Sequence, residues 1–309
     1  MEKRYYYRVY GLNIKSDIEI KEFIEINGCS DVDISIEYGE PSEDLISKFK
    51  DECTFLIAKD NIVFDIKGIG TYGVYNGNLI NYKSYEGADP YYVKIFITCS
   101  CIGFIMIQRN KLAIHGGAVS INDNAIIITG DKGAGKSSLT TGLRKYGYEL
   151  ISDDIASIDF TNNIVVNPGF PYQKLCTDAV LNMGYNIDEY FSFMSDTKRK
   201  YVIPVTEHFK MSDTKLAAIF EITKGDLEKV SIEEVSSSEK LEKIIECIYR
   251  IEYIDLLGGM KPQLFKKCII LAKNIKFYKI TRPVNGFTVD EQIKLIENKI
   301  IDKKLEEIV

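Results

Sequence analysis

Between Tyr5 and Tyr85 the apolar residues fall in short runs rich in β-branched and aromatic side chains, separated by turn-forming residues. The pattern predicts strands at Tyr5–Tyr10, Val32–Glu37, Thr54–Ala58, Ile62–Ile66, Thr71–Tyr75 and Leu79–Tyr82. Asn76-Gly77 lies between the last two, and both residues tolerate the positive φ that a tight hairpin demands. These segments read as a small, mostly antiparallel module over residues 1–88. The stretch Pro90–Gln108 is apolar but β-branched, so periodicity alone leaves strand and helix open. The expectation is a buried helix joining two modules over residues 89–110.

From Lys111 onward strand and helix signals alternate. Ala125–Thr129 is a short apolar run ending at Gly130. Lys136–Lys145 predicts a helix closed by Gly147, and Glu149–Ser152 a strand ending in two aspartates. Further on, Leu216–Thr223, Lys229–Glu233 and Lys276–Thr281 predict strands; Ser238–Tyr253, Pro262–Lys273 and Val289–Glu306 predict helices. The alternation implies an α/β domain over residues 111–309.

Composition narrows the classes. The chain has 309 residues, 45% of them hydrophobic, enough for a packed core, and a net charge of −6 that gives no general attraction to polyanions. No basic patch points to a nucleic-acid partner. Seven cysteines, an odd number in a chain of this size, read as reduced thiols inside a cell. The start Met1-Glu2-Lys3-Arg4-Tyr5 has no apolar leader, and the longest apolar run, Ile95–Ile107, falls short of the ~18 residues of a membrane span. The expectation is a cytoplasmic protein without membrane partners.

The chemistry concentrates in Gly130-Asp131-Lys132-Gly133-Ala134-Gly135-Lys136-Ser137-Ser138, a phosphate-binding loop between a strand and a helix. Glycines let backbone N–H groups turn inward around phosphate oxygens, and the helix offers its positive end to the same anion. Lys136 is the candidate for the β and γ phosphates of ATP, and the Ser137 hydroxyl for Mg²⁺. Asp153-Asp154 follows after one helix and a return strand, which brings two carboxylates to the sheet edge beside the loop. Asp153 and Ser137 are the candidate metal ligands, and both Asp154 and Asp153 are candidates for the base that takes a hydroxyl proton. His115, in Ile114-His115-Gly116-Gly117-Ala118, is placed at the end of a strand just before the loop's own strand.

His115-Gly116, the glycine-rich loop, Lys145-Tyr146-Gly147-Tyr148-Glu149-Leu150 and Ser152-Asp153-Asp154 together resemble the catalytic core of the HPr serine kinase/phosphorylase family. The match is specific over His115–Asp159 and weaker through Asn167-Pro168-Gly169. The resemblance implies a P-loop kinase core related to ATP-dependent phosphoenolpyruvate carboxykinases. It also implies ATP on the loop, metal binding and general-base work on the aspartates, and a supporting role for His115. Lys132 stands where that family has a small hydroxylated residue, and the family's glutamate-and-arginine signature after the aspartates is not recognisable. The layout is closer to HPr-kinase-like proteins associated with lasso peptides and related natural products, whose acceptor is a serine of a precursor peptide. The expected reaction is therefore transfer of the ATP γ-phosphoryl group to a hydroxyl, with a peptide or small-protein serine as acceptor. A small-molecule kinase acting on free serine or a sugar, and a non-catalytic nucleotide sensor, are the alternatives.

Weaker signals remain. Lys198-Arg199-Lys200 reads as a solvated charge run, with Lys198 and Arg199 as candidate phosphate or acceptor contacts, and Arg282 in Thr281-Arg282-Pro283 as another. His208 reads as structural. Cys99-x-Cys101 lacks a second ligand pair, so buried thiols are preferred to zinc. Lys294–Glu307 reads as an exposed amphipathic helix suited to contact between copies in a homo-oligomer.

Overall fold

In the computed structural model the described residues are 3–47, 55–58, 61–195, 198–205 and 207–306. Cys53 and Thr54, the latter the start of a predicted strand, lie outside them, as does Glu307 at the end of the terminal helix. The chain is of mixed α/β type and divides into two compact units, Met1–Leu112 with Arg250–Phe265, and Ala113–Tyr249 with Lys266–Val309.

The alternating N-terminal segments of the first unit form β1 (Tyr5–Val9), β2 (Leu12–Ser16), β3 (Ile34–Tyr38), β4 (Phe55–Ala58), β5 (Asn61–Ile66), β6 (Gly70–Tyr75) and β7 (Leu79–Ser84), with a short helix α1 (Glu43–Ile46) after β3. They make one sheet in the order β1-β2-β3-β7-β6-β5-β4. Only β2–β3 and β3–β7 pair in parallel; the other neighbours are antiparallel. Asn76 and Gly77 both take positive φ at the β6–β7 turn. β2 was not predicted, although its burial alternates along Leu12-Asn13-Ile14-Lys15-Ser16 as an amphipathic strand's should.

Pro90–Gln108 is helical, running as α2 (Pro90–Ile95), a π-helical turn over Phe96–Cys101 and α3 (Ile102–Gln108). Asp89 caps the start, its side chain accepting from Tyr91 N. This 19-residue helix exceeds the apolar run read from the sequence and is long and apolar enough to cross a membrane, with half of its apolar window buried inside the protein. A core helix passes the same test. Phe104 packs against Phe55, Phe64 and Tyr253, and Arg250 lies over its ring and donates to Ser100. The returning segment Arg250–Phe265 is thus part of this aromatic core.

The second unit contains β8 (Leu112–Ile121), β9 (Asn124–Gly130), α4 (Lys136–Lys145), β10 (Glu149–Ser152), β11 (Ile155–Asp159), β12 (Val165–Asn167), β13 (Tyr172–Cys176), α5 (Thr177–Asn182), β14 (Ser192–Ser195), β15 (Lys198–Pro204), β16 (Thr214–Gly225), β17 (Ser231–Glu234) and α6 (Ser237–Glu246). After α7 (Ile251–Leu256), which belongs to the first unit, come α8 (Pro262–Asn274), β18 (Lys276–Pro283) and α9 (Val289–Glu306). β9, β16 and β18 lie side by side and parallel. β8 runs antiparallel to β9, and β10 antiparallel to β8, so β9, α4 and β10 form a crossover with one strand interposed. β13, β15 and β14 form a separate three-stranded sheet.

One face of the parallel strands, through Ile126, Ile128, Phe220, Ile222 and Ile280, packs on Leu139 and Leu143 of α4 and Val289, Ile293 and Ile296 of α9. That burial fixes where α4 begins, and with it the loop that feeds it. Two expectations are corrected here. His115 lies inside β8, not at a strand end, as the single exposed position of an otherwise buried strand. Ser238–Tyr253 is not one helix: it breaks after Glu246, where Ile248 bridges Ile114 and Arg250 takes a left-handed φ of 56°. Apolar periodicity continues across the break, so nothing local marked it.

Candidate active site

The loop after β9 bends as a phosphate cradle requires. Gly130 has φ of 130°, and a Cβ there would lie 2.3 Å from the Ile222 carbonyl oxygen, so no other residue fits. Gly135, in the left-handed region, leads directly into α4. Lys136 folds back across the loop, its Nζ donating to the carbonyls of Gly130 at 2.6 Å and Asp131 at 3.1 Å. Burial lowers its pKa, while the charges of Asp154 and Asp131 oppose that shift. The carboxylate of Asp154 is therefore within electrostatic reach of the loop lysine.

Arg282, at the end of β18, donates from Nε to the Ala134 carbonyl at 2.8 Å and from Nη1 to Pro283 O. It braces the loop's backbone from a strand two places away. Ser137 and Ser138 stand half-buried on the first turn of α4, and the Ser137 carbonyl accepts from Thr140 and Thr141. Asp131, Lys132 and Gly133 are exposed along the loop's outer edge.

Asp153 and Asp154 occupy the two-residue junction between β10 and β11, and Asp154 holds a left-handed φ of 67°, a strained backbone that functional sites often retain. Its carbonyl accepts from Gly116 N at 3.2 Å, which ties the junction to β8. His115 Nε2 stands 3.5 Å from Asp154 Oδ1, with its ring edge-on to Tyr249 and its carbonyl accepting from Thr129 Oγ1 at 2.9 Å. The ring is half exposed, 46%, against 28% for the Asp154 side chain.

Lys174 on β13, which the sequence did not single out, handles both acids. Its backbone N–H donates to Asp153 Oδ2 at 2.9 Å, and its ammonium stands 3.7 Å from Asp154 Oδ2. The adjacent Gln173 is buried under α4 and bonds Arg144 and Thr140, so strand and helix are locked together. Among the charge run, the third residue, Lys200, acts on Asp153, Asp154 and Lys136. Lys198 and Arg199 are exposed at the start of β15, where Arg199 donates to Ser192 Oγ.

These neighbours drive the two carboxyls apart. Burial, then the charge of Asp154, raises Asp153 to about 6. Burial would also raise Asp154, but the Lys174 ammonium and the His115 hydrogen bond outweigh it and hold Asp154 well below the usual carboxylate range. The two adjacent carboxyls are thus shifted in opposite directions, Asp153 up and Asp154 down. Among the described residues no group of three or more His, Cys, Asp or Glu side chains is placed to cage a metal. One or two carboxylates and a hydroxyl beside a phosphate cradle fit Mg²⁺, which takes few protein ligands and completes its shell with phosphate oxygens and water.

On the sheet face away from α4 a cleft of about 720 Å³ opens beside the loop. It runs from His115 and Gly130 across the ends of β9, β16 and β18 to α6. Ligands of open α/β sheets bind outside the carboxyl ends of parallel strands, where this cleft lies. Burial raises the Cys247 thiol on its wall to about 11, which keeps it protonated near neutral pH.

No family model and no curated protein matches this chain. Among solved structures, one of the Hpr(Ser) kinase/phosphatase from Coxiella burnetii aligns over 64% of this chain and 99% of that one, at 15% identity and a TM-score of 0.32, a likeness that decides nothing about the chemistry here.

Proposed function

We propose that the chain is an ATP- and Mg²⁺-dependent kinase of the HPr-kinase-like type that transfers the γ-phosphoryl group to a hydroxyl, a serine of a peptide or small protein being the acceptor. One observation supports this above the others: the cradle lysine and two carboxyls of divergent acidity share a single electrostatic neighbourhood. In this reading backbone N–H groups of the loop between Gly130 and Lys136 would bind the phosphates, and Lys136 would leave the Gly130 and Asp131 carbonyls to follow charge developing on the transferred group. Mg²⁺, held by the Ser137 hydroxyl and one carboxylate, would supply charge neutralisation on the phosphates.

Sequence alone left open which aspartate is the base. We take Asp153 as the base: burial and the charge of Asp154 raise its carboxyl to about 6 before any metal binds, closer to a working pH than Asp154. Asp154, kept ionised by Lys174 and His115, is the better cation ligand. His115 then acts as a positioning residue for Asp154.

Incubation with ATP–Mg²⁺ and serine-containing peptides, followed by mass spectrometry of the peptides and measurement of ADP, tests the reading. Acceptor-dependent ADP release with a phosphorylated serine is the expected result. Failure of ATP–Mg²⁺ to bind at all would overturn it.

A further inference from the structure

The loop of residues 284–288, between β18 and α9, has no part in the chemistry so far, yet it presents two large apolar side chains to solvent. Val284 is 56% exposed and Phe287 51%, the latter the highest value for any phenylalanine among the described residues. Both ends of the loop are fixed. Arg282 bonds the glycine-rich loop at Ala134 on the way in, and on the way out the Gln292 side chain donates to the Thr288 carbonyl at 3.2 Å and to Thr288 Oγ1 at 3.1 Å. Val289, just beyond, packs on Gly142 of α4, so residues 284–288 pass along the outside of α4 from its first turn toward its middle.

Sheet order says what lies on which side of the glycine-rich loop. β9, which feeds it, stands between β8 on one flank and β16 on the other, with β18 beyond β16. His115 and the two acids of the β10–β11 junction belong to the β8 flank. A nucleotide whose terminal phosphate meets those acids and Lys136 has its inner phosphates on the loop and the first turn of α4, so its base leaves toward the β16–β18 flank. Arg282 stands on that path. A Cβ built on Gly135 would lie 3.5 Å from its Nε and 3.8 Å from its Nη2, and Nη2 makes no hydrogen bond among the described residues.

Two surfaces on this flank are open to the base. The cleft on the sheet face away from α4 is lined chiefly by charged and polar side chains, with no aromatic ring but His115 and no large aliphatic one, so a base has little to stack on there. The loop on the α4 side offers a ring and a branched aliphatic side chain.

We propose that Val284 and Phe287 form the base shelf of the nucleotide site: the purine of ATP stacks on the Phe287 ring beside Val284, and Arg282 Nη2 donates to the α-phosphate. The shelf rests on the kinase reading only as far as a nucleoside triphosphate occupying the glycine-rich loop; it is independent of the acceptor. Stacking covers two apolar side chains and adds affinity at the base, while the phosphoryl end is left to the acids.

Titration calorimetry of the full chain with ATP–Mg²⁺ and with inorganic triphosphate–Mg²⁺ reads base and phosphates apart. The wild type should bind ATP–Mg²⁺ roughly tenfold or more tightly than triphosphate. Phe287→Ala should lose roughly tenfold in ATP affinity, the size of one base–aromatic stack, with triphosphate affinity and thermal midpoint unchanged. Val284→Ala should show a smaller loss of the same kind, and Arg282→Gln should weaken both ligands together. The chain contains no tryptophan, so Phe287→Trp places a single indole on the shelf. That variant should keep its ATP affinity, and its emission should be quenched by ATP–Mg²⁺ but not by triphosphate. The shelf is overturned if triphosphate binds the wild type as tightly as ATP, if Phe287→Ala binds ATP as the wild type does or loses both ligands equally, or if the indole ignores ATP. ATP binding and phosphoryl transfer that survive such a result keep the kinase reading without the shelf. Base-dependent binding with no acceptor-dependent ADP release removes the kinase reading and leaves the shelf, and failure of both ligands to bind overturns the two together.

Discussion

The glycine-rich loop and the acid corner sit in the same unit but are built by different means. The loop is shaped chiefly by neighbours in sequence: Lys136 reaches carbonyls six and five positions back, with Arg282 bracing Ala134 and Ile222 flanking Gly130 from other strands. The corner gathers His115 from β8, two aspartates from the β10–β11 junction, Lys174 from β13 and Lys200 from β15. A locally built site carries its geometry in its own residues. A site assembled from several strands carries its acidity in the tertiary fold, so its function is more easily tuned and more easily lost.

The sharpest way to test that contrast is to remove the proposed base. Asp153→Asn should lower the transfer rate by roughly 10²–10⁴-fold while ATP–Mg²⁺ affinity, measured by titration, holds. Lys136→Met attacks the loop instead, and should cost on the order of 10²–10³-fold in kcat with weakened nucleotide binding. Equal loss of nucleotide binding in both variants would erase the distinction between cradle and corner. Gly130→Ala tests the loop's backbone. The added methyl meets the Ile222 carbonyl at a φ that L side chains avoid, so chemical denaturation should show about 2 kcal/mol of lost stability.

Smaller effects probe how the corner sets its acidity. Transfer should fall on the acid side, at or below about 6, where Asp153 takes up a proton, the bound Mg²⁺ moving the limb down rather than up. In stability the same shift has the reverse sign. Asp153 has a folded pKa above its ordinary 3.8, so its stabilising contribution is full below about 4 and is lost as pH rises through 6. Lys174→Met removes a cation from both carboxyls, so the acid limb of the pH–rate profile should move up by about one unit. An unmoved limb would dissociate Lys174 from the corner. The smallest change is expected from Arg199→Ala, whose exposed side chain bonds Ser192; rates should stay within about twofold of wild type.

What the residue pattern revealed follows the same division. The helix Lys136–Lys145 was readable to the residue because glycines bracket it, and β9 because an apolar run ends at Gly130. The adjacency of loop and aspartates was readable too, since a single crossover spans them. Lys174 was not, because Tyr172-Gln173-Lys174-Leu175-Cys176 is an ordinary alternating strand whose importance depends on what lies opposite. Of three consecutive basic residues Lys200 is the one whose charge is felt at both acids, and nothing in the local sequence sets it apart from Lys198 and Arg199. The separation of Asp153 from Asp154 in acidity lies beyond any local rule, since burial and a distant lysine produce it.

The return of Arg250–Phe265 to the first unit bears on the order in which the chain leaves the ribosome. Tyr253 and Arg250 complete the aromatic cluster around Phe104, so that cluster waits until most of the second unit has been translated. At roughly 5–20 residues per second the delay is on the order of ten seconds. During it the apolar helix Pro90–Gln108 lacks Arg250 and Tyr253 as partners.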